Sequence, residues 1–125
     1  MSGSSLLLDT NAFIYFFEGR QSVARLVAQA PTICFSPISE IELLSSAQLS
    51  QSEILQIKAF LALCERIDLT SEVVALTIRV RREYKLKIPD AIVAASALVA
   101  GVPLVTADAE FKKIEALNLI TDILT

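Results

Sequence analysis

Short apolar runs alternate along the chain with longer segments in which apolar residues recur every three or four positions. The run over residues 5–9 is continuous and ends at Asp9, which predicts a short buried strand. A helix is expected from about Asn11 to Glu18, stopped by Gly19, and a second from Ser22 to Gln29, ended by Pro31. "TICFS" (32–36) is β-branched and aromatic and predicts a strand. "SPISEIELLSSA" opens a helix on Ser-Pro. "SQSEILQIKAFLALCE" opens one on a serine cap and sets Ile54, Ile57, Phe60, Leu61 and Cys64 at helical spacing. "RIDLT" reads as a short strand, and "TSEVVALTIRVRREY" as a helix with Val73, Leu76, Val80 and Tyr84 on one face. "IPDAIVAASALVAG" is a helix with proline near its start and Gly101 closing it. "PLVT" (103–106) is a strand, followed by a short helix near "AEFKKIEAL" and a last strand, "LIT".

Short apolar strands separated by helices imply a parallel sheet covered on both faces. The expectation is one three-layer α/β/α domain over residues 1–125, with no repeat, linker or low-complexity segment. The helix after Asp90 carries no charge, so it is buried on every side; its own sheet and neighbouring helices are expected to cover it, with partial cover by another subunit as the alternative.

Composition narrows the chemistry. Apolar residues make up 54% of the chain, which excludes disorder. No apolar run reaches the roughly 18 residues of a membrane span. "MSGSS" lacks the basic segment of a secretory signal. Cys34 and Cys64 form no CxxC, so two reduced thiols and a cytoplasmic location are expected. The chain has no histidine, which removes the Ser-His-Asp triad, the Cys-His pair and histidine zinc sites. Glycine stands only at positions 3, 19 and 101, so neither a Walker loop nor GxGxxG can be written. A net charge of −3 gives no global attraction for nucleic acid.

The remaining chemistry falls to carboxylates. Ligands of an open parallel sheet bind beyond the carboxyl ends of its strands. Asp9 ends the first strand, Asp108 follows "PLVT" by two residues, and Asp90 lies in the first turn of its helix. On "PISEIELL", Glu40 and Glu42 are about 200° apart around a helix, so one of them can share a given face. The spacing of Glu42 to Ile38, Ile41 and Ser45 makes it the more core-directed. Each aspartate could instead cap a helix, and Glu42 could be a solvated surface residue. If the four converge, they cannot all stay ionised without a counter-charge. A hard cation such as Mg²⁺ or Mn²⁺, which prefers oxygen donors, resolves this and makes Asp9 a metal ligand.

With these segments assembled, the chain resembles the PIN domain family, and within it the VapC-type toxins of toxin–antitoxin pairs. The resemblance rests on "LLLDTNAFIYFFEG", "SPISEIELL", "KIPDAIVAASAL" and "GVPLVTADAEFKKI", in that order, and covers almost the whole chain. It implies a Rossmann-like parallel sheet of about five strands and an endoribonuclease dependent on Mg²⁺ or Mn²⁺. The acidic set carried over is Asp9, Glu42, Asp90 and Asp108, with Thr10, Asn11 and Thr106 at supporting polar positions. Many relatives carry a basic residue where this chain has Ala107 and an aspartate where it has Glu110, so the resemblance does not extend to substrate contacts at that edge.

The resulting expectation is phosphodiester hydrolysis, with one or two ions held by Asp9, Asp90 and Asp108. Glu42 either completes the coordination or holds a water, and Thr106 supports a carboxylate or the water. "RVRREYKLK" offers Arg79, Arg82, Lys85 and Lys87 as a local phosphate track, or as an ordinary solvated helix face. By resemblance, the partners are RNA, a small antitoxin and a second copy of the chain; no membrane is involved. A receiver-type phosphoacceptor would want paired acids after the first strand and a lysine after the last. A haloacid-dehalogenase-like phosphatase would want DxD where this chain has Asp9 and Asn11. A binding domain with an idle acidic pocket is the non-enzymatic alternative.

Overall fold

The computed structural model describes residues 5–125, so the reading of residues 1–4 of "MSGSS" lies outside the described residues. Strand β1 (Leu6–Leu8) leads into α1 (Thr10–Phe17) and α2 (Gln21–Gln29); β2 (Ile33–Phe35) leads into α3 (Pro37–Leu44) and α4 (Gln51–Ala62). Then come β3 (Glu65–Arg66), α5 (Ser71–Tyr84), α6 (Ile88–Ala100), β4 (Leu104–Val105), a 3-10 turn (Ala109–Lys113) and β5 (Leu119–Ile120).

Local chemistry starts these helices where the sequence places polar residues. Asp9 caps α1 by accepting from the Ala12 N–H at 2.8 Å. Ser36 caps α3 ahead of Pro37. Ser50 and Glu53 close a reciprocal capping box on α4. Thr70 caps α5, and Gly101 ends α6 in the left-handed region at φ +69°.

The five strands are all parallel, in the order β3-β2-β1-β4-β5. Leu7 pairs with Cys34 on one side and Leu104 on the other, which makes β1 the centre of the sheet. Because side chains alternate along a strand, β1 feeds two cores. Leu6 and Leu8 join Phe13, Val23, Phe35, Ile57 and Leu61 on the face covered by α1, α2 and α4. Leu7 joins Cys34, Val80, Ala94 and Leu104 on the face covered by α5 and α6. Helix α3 touches both, through Leu43 and Ile38. This is the expected three-layer α/β/α sandwich.

Residues Ala91 to Ala97 of α6 are buried throughout, under the chain's own sheet and α5. No helix among the described residues is long and apolar enough to cross a membrane. Both cysteines are free.

Two elements differ from the expectation. The strand foreseen at "RIDLT" is Glu65–Arg66, extended by one bond from the Ile67 N–H to the Phe35 carbonyl at 2.8 Å. Asp68 and Thr70 instead turn the chain into the cap of α5, since the Thr70 N–H donates to the Asp68 carbonyl. The helix foreseen near "AEFKKIEAL" is a 3-10 turn that stops at Lys113, with Phe111, Ile114 and Leu117 all drawn into the α6-side core.

The strand order decides where a site can form. The chain runs outward from β1 to β2 and β3, then returns through α5 and α6 to place β4 on the other flank of β1. That reversal opens a crevice at the carboxyl ends of β1 and β4. Ladder bonds continue to its rim: the Asp9 N–H donates to the Val105 carbonyl, and the Thr106 N–H to the Ile120 carbonyl.

Candidate active site

The crevice is a cleft of about 240 Å³ lined by Asp9, Thr10, Asn11, Glu42, Asp90 and Asp108, with Ile38, Val93 and Phe111 as its apolar wall. Four carboxylates, from segments up to 99 positions apart in the numbering (9 to 108), thus share one hollow. Asp9 arrives at the end of the central strand, Glu42 on α3, Asp90 in the first turn of α6 and Asp108 as the cap of the 3-10 turn.

Asp9 is buried and both its oxygens are engaged. Oδ1 accepts from the Ala12 N–H, and Oδ2 accepts from the Thr106 hydroxyl. That hydroxyl also accepts from the Asp108 N–H at 3.0 Å, so Thr106 ties two of the cleft's acidic residues together. On the opposite wall, the Thr10 hydroxyl lies 2.5 Å from Glu42 Oε1 and donates to it. Asn11 is exposed at the cleft's mouth.

Burial raises the Asp9 carboxyl above the ordinary aspartate range. The bonds from Thr106 and Ala12 pull it down in part, while the charges of Asp108 and Asp90 push it up. Desolvation also raises Asp90, followed by repulsion from Asp108 and Glu42; Lys87 opposes this and Glu110 adds to it. The cleft therefore concentrates carboxylates whose mutual repulsion Lys87 opposes only in part. Asp9 caps α1 and Asp108 caps the 3-10 turn, so the capping reading holds for both alongside their place in the cleft.

Glu42, not Glu40, lines the cleft, but burial runs opposite to the helical-wheel expectation. Glu42 is exposed, while Glu40 is half-buried and pairs with Arg66 at 3.1 Å. The inward positions of α3 are Ser39 and Leu43; Glu42 flanks them and looks over the open crevice.

The basic residues scatter. Lys87 caps α6 beside Asp90. Arg82 lines an apolar groove with Leu69, Val74, Ile78 and Ile88. Arg79 lines a separate hollow with Glu72, Leu76 and Leu98. Lys85 ends α5 in the left-handed region at φ 59°. Sequence reading missed the apolar wall and Ser39, a fully buried hydroxyl 3.0 Å from that of Thr10. Spacing carried the signal, since Ser39 is one helical turn before Glu42 and Val93 one turn after Asp90.

The donor set is all oxygen: carboxylates, hydroxyls and an amide, with neither imidazole nor thiolate in the cleft. Such donors suit a hard divalent cation. Among the described residues no three acidic side chains stand close enough together to form a ready-made cage. An open arrangement is nonetheless what Mg²⁺ uses, since it binds through one or two carboxylates and completes its shell with waters and substrate phosphate. The residues fit the ion in that form.

A family model for the PIN domain matches residues 6–117. No curated protein matches the chain in sequence. Among solved structures, a toxin–antitoxin complex from Klebsiella pneumoniae superposes with a TM-score of 0.80 at 29% identity, covering 93% of this chain and 96% of that one. VapBC2 from Rickettsia felis, bound to a promoter DNA fragment, gives a TM-score of 0.80 at 24% identity over 93% and 97% of the two chains. VapBC-1 from nontypeable Haemophilus influenzae gives 0.79 at 23% over 93% and 96%. The family match runs from the first strand to the segment before the last and takes in every carboxylate of the cleft, so the chain belongs to the PIN domain family.

Proposed function

We propose that the chain is a metal-dependent endoribonuclease, a single-domain, cytoplasmic toxin of the VapC type. PIN domains are generally nucleases, and the Klebsiella pneumoniae relative is part of a toxin–antitoxin complex. The observation that carries the reading is the convergence of Asp9, Glu42, Asp90 and Asp108 on one cleft at the sheet's point of reversal. A receiver-type domain is displaced by the family match, and among the described residues no lysine lines the cleft.

Asp9, Asp90 and Asp108 are the residues that would hold Mg²⁺ or Mn²⁺, with Glu42 completing its surroundings or holding a water. When bound, such an ion stabilises charge growing on a phosphate and lowers the pKa of a water. The chain's own contribution is order. Thr106 and the Ala12 N–H fix the Asp9 carboxylate, each taking one lone pair of one oxygen and leaving the others free. Ile38, Val93 and Phe111 exclude bulk water from one side, which strengthens the electrostatics within. Asn11 at the mouth and Lys87 beside Asp90 would meet an RNA backbone, whereas Arg79, Arg82 and Lys85 lie in separate surroundings and form no continuous track with them. The partners proposed are an RNA substrate, an antitoxin and a second copy of the chain.

The test is cleavage of a labelled single-stranded RNA with Mn²⁺, with Mg²⁺ and with EDTA, comparing wild type with Asp9→Asn. Cleavage is expected with either ion, none with EDTA, and at least a hundredfold less in the variant (about 3 kcal/mol of barrier). An Asp9→Asn protein as active as wild type would rule out the assignment.

A further inference from the structure

Helix α3 presents two polar side chains one turn apart to the first residue of α1. Ser39 is fully buried and its hydroxyl lies 3.0 Å from the Thr10 hydroxyl; Thr10 is half-buried and reaches Glu42 Oε1 at 2.5 Å. Thr10 has one proton and two oxygen neighbours. A carboxylate is the stronger acceptor, so that proton goes to Glu42. The Ser39 oxygen is the second acceptor within reach of the Thr10 hydroxyl, which it holds against the buried face of α3. No buried side-chain polar atom among the described residues is left without a partner.

We infer that Ser39 and Thr10 form a relay, the Thr10 hydroxyl held against Ser39 and donating to the carboxylate, that positions Glu42 for the reaction proposed above, on which this inference rests. Glutamate has three rotatable side-chain bonds, and this Glu42 is exposed to solvent. Without a tether it would sample much of the cleft mouth. The relay fixes Oε1 against α1, where Glu42 lines the hollow that Asp9, Asp90 and Asp108 share. It also spans two helices: Thr10 directly follows the buried cap Asp9, so Glu42 on α3 is set relative to the central strand. The buried serine limits the rotation of the Thr10 hydroxyl and so supports the hold on the carboxylate without touching it. Ser39 and Thr10 are positioning residues.

The experiment is a double-mutant cycle on Thr10→Val and Glu42→Ala, read in two ways. Urea unfolding in EDTA reads the bond itself, and Mn²⁺-supported RNA cleavage reads its use. The expected result is non-additive unfolding, a fall in kcat of about 10- to 100-fold for Thr10→Val with KM unchanged, and no further fall when Glu42 is already alanine. Thr10→Ser restores most of the rate, and Ser39→Ala lowers kcat in the same direction by less. Additive losses in both measurements overturn the relay. So does coupling in urea with kcat unchanged, which would leave a bond of purely structural use. A wild-type chain inert toward RNA overturns the nuclease reading and the relay's role together, whereas an active wild type with additive variants overturns the relay alone.

Discussion

Replacing Thr106 by valine keeps the side chain's shape and removes one hydroxyl. That hydroxyl is fully buried, donates to Asp9 Oδ2 and accepts from the Asp108 N–H. A hydrogen bond to a charged group contributes about 1.5–3 kcal/mol. Asp108 is itself exposed, so its N–H can bond to water instead and that loss adds little. Thr106→Val should therefore lower the unfolding free energy by about 1.5–3 kcal/mol at neutral pH in EDTA, a fall on the order of 1 M in urea midpoint. The pH dependence makes the test sharper. Burial raises the folded-state value for Asp9 above its ordinary 3.8, so the folded chain holds that proton to higher pH than the unfolded one. Stability from this group thus falls as pH rises from near 3.8 through the raised value. Losing the Thr106 bond raises the folded value further and prolongs the fall. Below 3.8, Asp9 is protonated in both states and the loss is that of a neutral bond, about 0.5–1.5 kcal/mol. The variant's deficit should grow between about pH 3.5 and pH 7, as measured by urea unfolding followed by circular dichroism. An equal deficit at both values, or none at pH 7, refutes the claim that Thr106 stabilises ionised Asp9.

Asp90→Asn should raise the urea midpoint in EDTA at neutral pH, because burial and the charges of Asp108 and Glu42 disfavour the ionised carboxyl. The same variant should lose RNA cleavage by roughly a hundredfold or more, and a lower midpoint would contradict the electrostatic account. Gly101→Ala should destabilise by about 1–2 kcal/mol in the same assay, since its φ of +69° disfavours a Cβ while no atom within 4 Å obstructs one. A neutral outcome there would mean that the end of α6 readily shifts out of the left-handed conformation.

The parts of the fold that local chemistry controls were legible in the sequence. Ser50 and Glu53 announce their capping box, Pro37 and Pro89 mark the first turns of α3 and α6, and Gly101 marks the end of α6. The apolar runs at Leu6–Leu8 and Ile33–Phe35 could only be strands buried on both faces. Strand order could not be read, because the pairing of β1 with both β2 and β4 depends on contacts across the whole chain. β3 slid toward Glu65 because an edge strand with exposed side chains leaves no apolar pattern to fix it. In the site, Asp9 stood out as a carboxylate at the end of an apolar run, and Glu42 was among the acidic residues carried over from the family resemblance. The wheel argument erred on burial because it could not see that α3 spans the crevice, with Ser39 inward and Glu42 over open space. The basic run at "RVRREYKLK" looked continuous, but the end of α5 and the start of α6 send Arg79, Arg82 and Lys87 to different surroundings.

Anomalous diffraction from crystals grown with Mn²⁺ tests most directly whether these distant carboxylates make one cation site. The account predicts a manganese peak in the cleft, at bonding distance (about 2.2 Å) from carboxylate oxygens of Asp9 and at least one of Asp90 and Asp108. Manganese ordered elsewhere on the chain, with an empty cleft between those residues, would contradict it.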